Sequence, residues 1–298
     1  MTFFEVKNLS KSYGNYKALN NVSFKVQKGE IVALIGKNGA GKTTFLKSIS
    51  GDIYPDCGEI VYKNKNLLKD NSYLSEFGIL IQAIFLDYLN AQDNLKLLLK
   101  ASGIQDKYYI KNRVNEVLEL VGLEEKKKAY VKSFSFGMKQ RLGLAQALLH
   151  PTEFLILDEP FVGLDPLGKD ILKDVIKKKA REDNGGIIFS SHDLYDVNEI
   201  CDRIVMFDKG KKIFDGKFDF KNTYKIYIQD TIEDKFKNIL IDKFKNKVSI
   251  GKSIEFIDST IINDVIELIY DNRLKILDFQ TEKSSLNDFF RNEVNYEK

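Results

Sequence analysis

Three short apolar runs stand out along the chain, and each ends in glycine or polar residues. They are IVALI at residues 31–35, FLIL at 154–157 and GIIFSS at 186–191. Continuous runs of this length are typical of strands that are buried on both faces of a parallel sheet. Because ligands bind at the carboxyl ends of the strands in an open α/β sheet, the residues that follow these runs are expected to share one site.

A glycine-rich segment, GKNGAGKT at residues 36–43, follows the first run and fits the P-loop pattern G-x-x-x-x-G-K-[ST] at every fixed position. Its glycines let successive backbone N–H groups point at phosphate oxygens, and the helix that follows adds the positive end of its dipole. Lys42 is expected to reach the β- and γ-phosphates, and Thr43 to ligate Mg²⁺. The predicted nucleotide-binding set here is Gly36, Asn38, Gly39, Ala40, Gly41, Lys42, Thr43 and Thr44.

Two adjacent carboxylates, Asp158 and Glu159, follow the second run. A pair of acids after a strand is often a solvated turn, but beside a P-loop we expect Asp158 to orient the Mg²⁺ shell and Glu159 to polarise the attacking water. His192 follows the third run. A lone histidine is usually an ordinary surface or core residue, yet its place at a third strand end predicts a neutral imidazole that contacts the γ-phosphate.

Composition bounds the organisation of the chain. With 298 residues, 43% of them hydrophobic, it can bury one full core and a smaller one, so we expect two domains. Its 46 basic and 43 acidic residues are too balanced for a protein held on nucleic acid mainly by phosphate neutralisation. The start lacks the features of a secretory signal, and no run reaches the roughly 18 apolar residues that a membrane span needs. We therefore expect a soluble chain without a nucleic-acid partner.

The segment between the first two runs ends in SFSFGMKQRLGLAQALLH. Its residues 135–141 resemble the signature of ABC (ATP-binding cassette) proteins, usually written LSGGQ and followed by basic residues. Ser135 and Gly137 keep the serine and the second glycine, whereas phenylalanines and a methionine replace the other positions. Such variants occur in cassettes similar to bacitracin-resistance and lantibiotic-immunity ATPases. A serine and an unshielded N–H at a helix start also make an anion site, although an ordinary capped helix has the same appearance.

The resemblance extends to further motifs in the expected order, over roughly residues 2 to 220. It implies that Gln82 links the γ-phosphate and the metal to a helical subdomain, and that residues 85–95 face a membrane partner. Asp165 falls in the D-loop sequence GLDP, and Tyr13 in KSYG matches the aromatic that stacks on adenine. An aromatic residue on an amino-terminal strand is, however, more often part of the core.

The fold implied by the resemblance is an α/β P-loop NTPase core with an amino-terminal antiparallel β subdomain and an inserted α-helical subdomain at about residues 83–150. The predicted domains are a nucleotide-binding domain at residues 1–219 and an accessory α+β domain at 220–298. The implied activity is Mg²⁺-dependent hydrolysis of ATP. Its catalytic residues would be Lys42, Gln82, Glu159 and His192, with Thr43, Gln82 and Asp158 as metal ligands.

The resemblance also implies partners and a location. The signature of such a cassette closes over the ATP of a second cassette, which predicts a homodimer, and a separate transmembrane permease subunit would carry the cargo. We expect a cytoplasmic protein, peripheral on the inner face of the membrane, that powers export of a peptide antibiotic, drug or lipid-like compound. The alternative is a soluble ABC-type ATPase acting on ribosomes or DNA, although those similar to translation factors usually carry two cassettes.

The tail repeats a regular order of strand and helix patterns. Strand patterns at residues 225–230, 247–251, 253–258 and 274–280 alternate with helix patterns at 230–244 and 259–272. This order, β-α-β-β-α-β, predicts a small ferredoxin-like domain, and a last helix is predicted at 284–294. The predicted core is Ile226, Ile228, Leu240, Ile254, Phe256, Ile266, Ile269 and Leu277. The tail is either regulatory or dimer-bracing, as the resemblance implies, or a passive appendage.

Overall fold

The chain folds into two units that divide between Phe218 and Asp219. The computed structural model describes residues 3–70, 72–192, 194–217, 222–229, 232–251, 253–256 and 258–283. In the first unit the strands are β1 (Phe4–Tyr13), β2 (Tyr16–Val26), β3 (Ile31–Ile35), β4 (Cys57–Tyr62), β5 (Lys65–Asn66), β6 (Phe77–Leu80), β7 (Phe154–Leu157), β8 (Gly186–Ser191), β9 (Arg203–Asp208) and β10 (Lys211–Gly216). Its helices are α1 (Lys42–Ile49), α2 (Ala91–Ala101), α3 (Lys107–Leu120), α4 (Phe136–Ala147), α5 (Pro166–Arg181) and α6 (Leu194–Ile200).

The central sheet has the strand order β10-β9-β3-β8-β7-β6. All its pairs are parallel except β9 with the edge strand β10, which are antiparallel. Every residue of β3, β7 and β8 is buried, as the three apolar runs predicted. The carboxyl ends of these neighbouring strands therefore lie side by side at one edge of the sheet.

A second sheet of the first unit is antiparallel, in the order β2-β1-β4-β5. Its buried side chains pack with alternate buried side chains of the central sheet in one hydrophobic core, in which Phe4 and Phe154 stack with their ring centroids 4.6 Å apart. This sheet is the predicted amino-terminal β subdomain, and α2, α3 and α4 form the predicted helical insertion between β6 and β7. The α/β P-loop fold class is confirmed.

The second unit contains β11 (Asn222–Ile228), α7 (Asp234–Phe244), β12 (Val248–Ile250), β13 (Ile254–Phe256), α8 (Ile262–Asp271) and β14 (Ile276–Lys283). Its sheet has the order β12-β13-β11-β14 with every pair antiparallel, which is the ferredoxin-like arrangement predicted for the tail. The helix predicted at 284–294 lies outside the described residues.

The predicted core of this unit needs two corrections. Ile266 is 36% exposed because α8 buries the stripe of Val265 and Ile269 instead. Leu277 is 68% exposed, because a register shift between Tyr227 and Ile228 leaves it as the extra residue of a bulge in β14. The buried residues Ile226, Leu240, Ile254, Phe256 and Ile269 were predicted correctly.

Among the described residues, no helix is both long enough and apolar enough to cross a bilayer.

Candidate functional site

The P-loop connects the end of β3 to the start of α1. Gly39 and Gly41 have left-handed φ angles of 81° and 107°, and a Cβ atom on Gly41 would lie 2.5 Å from the carbonyl oxygen of Ala18. Only glycine fits such a position without displacing the neighbouring backbone. The loop lines a cleft of about 260 Å³ together with Ala18, Tyr16 and Glu159. The predicted residues from Asn38 to Thr44 all lie on this cleft.

Lys42 is 6% exposed and folds back under the loop. Its Nζ donates to the carbonyl oxygen of Gly36 at 2.7 Å and lies 3.7 Å from Glu159 Oε1. The cation therefore sits between the P-loop and the carboxylate that follows β7. A phosphate in the cleft would meet the first turn of α1, and Lys42 would have to leave Gly36 and Glu159 to reach it.

Thr43 and Asp158 meet at the predicted metal corner. Thr43 Oγ1 donates to Asp158 Oδ2 at 2.8 Å, which joins the first turn of α1 to the end of β7. Hydroxyl and carboxylate oxygens suit Mg²⁺, which keeps several waters and takes other ligands from substrate phosphates. The described residues contain no group of three or more His, Cys, Asp or Glu that could hold a metal on its own.

Glu159 has the most constrained geometry at the site. Its φ angle is 47°, in the left-handed region that costs a residue other than glycine on the order of 1 kcal/mol. Its N–H donates to Ser190 Oγ at 2.8 Å, and its carbonyl oxygen accepts a 3.3 Å hydrogen bond from Gln140 Nε2. The carboxylate faces two side chains. Its Oε1 lies 3.7 Å from Lys42 Nζ, and its Oε2 lies 2.8 Å from His192 Nδ1.

The His192 ring is the third predicted strand-end group. Since an ionised carboxylate only accepts hydrogen bonds, the 2.8 Å contact makes Nδ1 the donor to Glu159. In a neutral ring this leaves Nε2 without a proton. A hydrogen bond from His192 to a phosphate oxygen therefore requires either that Nδ1 leaves Glu159 or that the ring is protonated.

Gln82 is exposed on the loop after β6 and lines a larger cavity of about 540 Å³. Asp158, Glu159, Gln140 and Phe136 line the same cavity. Gln82 therefore opens on the same cavity as Asp158 and the signature helix.

The signature residues lie at the start of α4. Ser135 caps this helix, with its Oγ accepting from the Met138 N–H at 3.2 Å. A Cβ atom on Gly137 would lie 2.7 Å from the carbonyl oxygen of Gly163, so the signature packs on the D-loop of its own chain. Neither Ser135 nor Gly137 lines the P-loop cleft, and the chain does not bring the two halves of the predicted nucleotide site together.

Asp165 of the D-loop caps α5, and its Oδ1 accepts from the Gly168 N–H at 3.0 Å. From the same helix, Lys169 and Lys173 reach the buried carboxylate of Asp196 on α6, at 2.6 and 3.1 Å. Burial alone would lower the pKa of Lys173, but its hydrogen bonds to Glu199 and Asp196 raise it. These ion pairs hold the helix that starts at the D-loop against the helix that follows His192.

Of the two tyrosines near the cleft, Tyr16 lines it and Tyr13 does not. Tyr16 donates its hydroxyl to the carbonyl oxygen of Gly39 at 2.9 Å. Tyr13, 48% exposed, is the cross-strand partner of Tyr16, with Lys11 Nζ 5.8 Å from its ring centroid. The structure therefore places the sequence-predicted aromatic next to the residue that touches the P-loop.

Comparison with known proteins places this arrangement in a family. Residues 19–162 match the family described as ABC transporter. The bacitracin transport ATP-binding protein BcrA of Bacillus licheniformis is 37% identical over 80% of this chain and 78% of its own length. The uncharacterized ABC transporter ATP-binding protein YhcH of Bacillus subtilis (strain 168) is 32% identical over 97% of this chain and 95% of its own.

The chain belongs to the ABC transporter ATP-binding proteins.

Solved structures agree with this assignment of the cassette. An ATP-binding subunit of an ABC transporter superposes with a TM-score of 0.66 at 33% identity, over 73% of this chain and 91% of that one. A dimeric cassette in a post-hydrolysis state, bound to ADP and Pi, superposes with a TM-score of 0.67 at 26% identity, over 72% and 98%. The predicted family and the predicted ATPase activity are confirmed. Nothing found supports the ribosome or DNA alternative.

ABC ATP-binding subunits bind ATP, dimerise and work with transmembrane permeases. The geometry of this cassette fits that pattern, since its P-loop and its signature face different surroundings. Sequence reasoning missed three residues of the site, namely Tyr16, Gln140 and Ser190. A signal for Ser190 was available, because the buried strand β8 ends in two serines after an apolar run.

Proposed function

We propose that this cassette hydrolyses Mg-ATP as one half of a homodimer and powers export by a separate transmembrane permease. The observation that carries the proposal is the junction of Lys42, Thr43, Asp158, Glu159 and His192. Within it, Thr43 and Asp158 are hydrogen-bonded at 2.8 Å, and so are Glu159 and His192.

Each residue of the junction has a separate task. Thr43, Asp158 and Gln82 are the residues that would hold Mg²⁺, which would supply positive charge to the phosphates of ATP. Lys42 exchanges Gly36 and Glu159 for the phosphates. Its departure frees Glu159 Oε1 to accept a proton from the attacking water. His192 holds Oε2 from the other side and so fixes the direction of the carboxylate.

The second nucleotide-binding subunit supplies the signature residues that complete the nucleotide site of the first. Ser135 and the N–H of Gly137 lie at the amino end of α4, where the helix dipole favours an anion. Because they do not line their own P-loop cleft, we propose that they close over the γ-phosphate held by the P-loop of a second copy. Asp165 would join that interface through the D-loop, while its own carboxylate keeps α5 capped.

The permease is proposed to dock on the loop between β6 and α2. Ile84 and Tyr88 expose 78% and 68% of their surface there, beside the cavity that contains Gln82. Lys139 of α4 is paired with Asp87 of this loop at 3.0 Å, so the docking surface is fastened to the signature helix. This placement would put the cassette at the cytoplasmic face of the membrane.

The cargo is proposed to be a peptide antibiotic, another drug or a lipid-like compound. Support comes from relatives named for bacitracin transport, for lantibiotic transport and for linearmycin resistance. The lantibiotic transport protein SrtF of Streptococcus pyogenes, for example, is 37% identical over 72% of this chain and 91% of its own.

Two measurements test the two halves of this proposal. Purified protein should release phosphate from ATP with Mg²⁺ and not with EDTA, and the Lys42→Ala variant should not. For the cargo, deleting the gene should lower resistance to at least one of bacitracin, a lantibiotic and linearmycin. Only a gene that encodes ATPase-active protein should restore that resistance. Unchanged resistance to all three compounds, with intact ATPase activity, would contradict the proposed antibiotic cargo but not the proposed ATPase activity.

A further inference from the structure

Ser190 is a fully buried hydroxyl in the strand β8, at 0% exposure. Its Oγ donates to Asp158 Oδ1 at 2.5 Å and accepts from the Glu159 N–H at 2.8 Å. A hydroxyl has one proton to donate and lone pairs to accept with, and both capacities are used here on adjacent residues of the site. A buried hydroxyl needs such partners, but these two partners are the metal-side carboxylate and the backbone of the proposed base.

The bond to Asp158 determines how its carboxylate is turned. The last torsion of an aspartate side chain is broad, so the group rotates easily unless both oxygens are held. Ser190 holds Oδ1 and Thr43 holds Oδ2. If Thr43 gave up its bond to Oδ2, Ser190 would still hold Oδ1 and so keep the orientation of the carboxylate that would hold a metal.

The bond to Glu159 stabilises an unusual backbone. At a φ angle of 47°, the residue needs support from its surroundings to stay in the left-handed region. Its N–H is held by Ser190 from β8, and its carbonyl oxygen by Gln140 Nε2 from α4 at 3.3 Å. This backbone conformation directs the carboxylate between Lys42 and His192.

We propose that Ser190 and Gln140 are positioning residues for hydrolysis, and that together they clamp the Glu159 peptide, with Ser190 also fixing Asp158. The inference rests on the proposed function. Gln140 lies on the helix that Ser135 caps, so the clamp ties the base to the signature helix of its own chain. The two residues differ in their hydrogen bonds. Ser190 bonds to both Asp158 and Glu159, whereas the bond of Gln140 is to Glu159.

That difference gives a test with four purified proteins: wild type, Ser190→Ala, Gln140→Leu and the control Ser50→Ala. Ser50 is 5% exposed, and its Oγ donates to the carbonyl oxygen of Lys47 at 3.2 Å. The readouts are kcat and KM for Mg-ATP, ADP affinity in EDTA, Tm, and the affinity of the ADP complex for Mn²⁺ measured by electron paramagnetic resonance.

Ser190→Ala should lower kcat about 10- to 100-fold, as expected when a buried donor to a charged group is lost, and weaken Mn²⁺ binding severalfold. ADP affinity in EDTA should stay within about twofold, because the P-loop is untouched. Gln140→Leu should lower kcat about 3- to 10-fold and leave Mn²⁺ affinity unchanged, because the lost bond is a neutral one to Glu159. Ser50→Ala should change none of these. If Ser190→Ala does not fold, Ser190→Cys, whose thiol is somewhat larger and a weaker donor, takes its place with the same expected direction.

A folded Ser190 variant with wild-type kcat and Mn²⁺ affinity overturns the proposal. So does a variant whose ADP affinity in EDTA falls in parallel with kcat, because that is what a merely structural serine would produce. An absence of ATPase activity in the wild-type protein would instead contradict the proposed function. The Mn²⁺ affinities of Ser190→Ala and Gln140→Leu would still decide whether Ser190 orients Asp158.

Discussion

The Glu159 carboxylate lies between Lys42 and His192, with its Oε2 2.8 Å from His192 Nδ1 and its Oε1 3.7 Å from Lys42 Nζ. Only an ionised carboxylate can accept a proton from water, which is the role proposed for Glu159. The same contacts keep Lys42 from pointing freely into the cleft. In the proposed mechanism, phosphate binding and activation of Glu159 are therefore coupled through Lys42.

Replacing the base should separate binding from hydrolysis. Glu159→Gln keeps the shape of the side chain and a hydrogen bond to His192, but it removes the proton acceptor and the charge that faces Lys42. We expect ATP binding to be retained and turnover to fall about 10²- to 10⁴-fold. With hydrolysis blocked, Mg-ATP should trap the dimer. Size-exclusion chromatography that shows only monomer at high protein concentration would contradict the paired arrangement.

Complementation between two inactive variants should test the shared site. Lys42→Ala should weaken nucleotide binding in its own chain, whereas Ser135→Ala should leave binding intact and abolish hydrolysis, because Ser135 does not line its own P-loop cleft. An equimolar mixture forms dimers in which one of the two sites has both an intact lysine and an intact serine. Partial recovery of ATPase activity is expected. A mixture as inactive as its components, under conditions where dimers form, would argue that the signature does not act across an interface.

Substitutions of the two tyrosines in the first hairpin should show which of them contributes to nucleotide binding. The resemblance assigns stacking to Tyr13, but the residue that lines the cleft and bonds to Gly39 is Tyr16. If Tyr13 stacks, Tyr13→Ala should weaken ATP binding by about tenfold, the scale of a lost aromatic contact, and Tyr13→Phe should not. If Tyr16 acts through its hydroxyl on the loop, Tyr16→Phe alone should weaken binding of ATP and GTP equally. Titration of both nucleotides into the wild-type protein and these three variants distinguishes the two outcomes.

Sequence patterns were sufficient where the physics is local. The apolar runs of β3, β7 and β8 correctly predicted three buried strands of the central sheet. The P-loop glycines occupy backbone conformations that require glycine. They were insufficient where contacts link distant parts of the chain. Nothing near Ser190 or Gln140 in the sequence says that both reach Glu159, because that meeting depends on the packing of β8 and α4 around β7.

The same limit explains the errors in the second unit. A helical stripe of apolar residues predicts a buried face only to within one position, so Ile266 was chosen where Val265 is buried. Strand alternation fails at a bulge, which a single sequence does not announce, and Leu277 therefore lies outside.

The last prediction concerns a chain that ends at Phe218. Each unit has a hydrophobic core of its own, that of the second unit including Ile226, Leu240, Phe256 and Ile269. All the phosphate-contacting motifs lie in the first unit, so the truncated chain should fold and bind ATP with an affinity within about twofold of the full chain. We expect truncation to lower dimer affinity or transporter coupling instead. Nucleotide titration and sedimentation of the Glu159→Gln protein with Mg-ATP, in both lengths, measure the two effects separately. A truncated protein that is folded by circular dichroism but does not bind ATP would show that the second unit takes part in nucleotide binding itself.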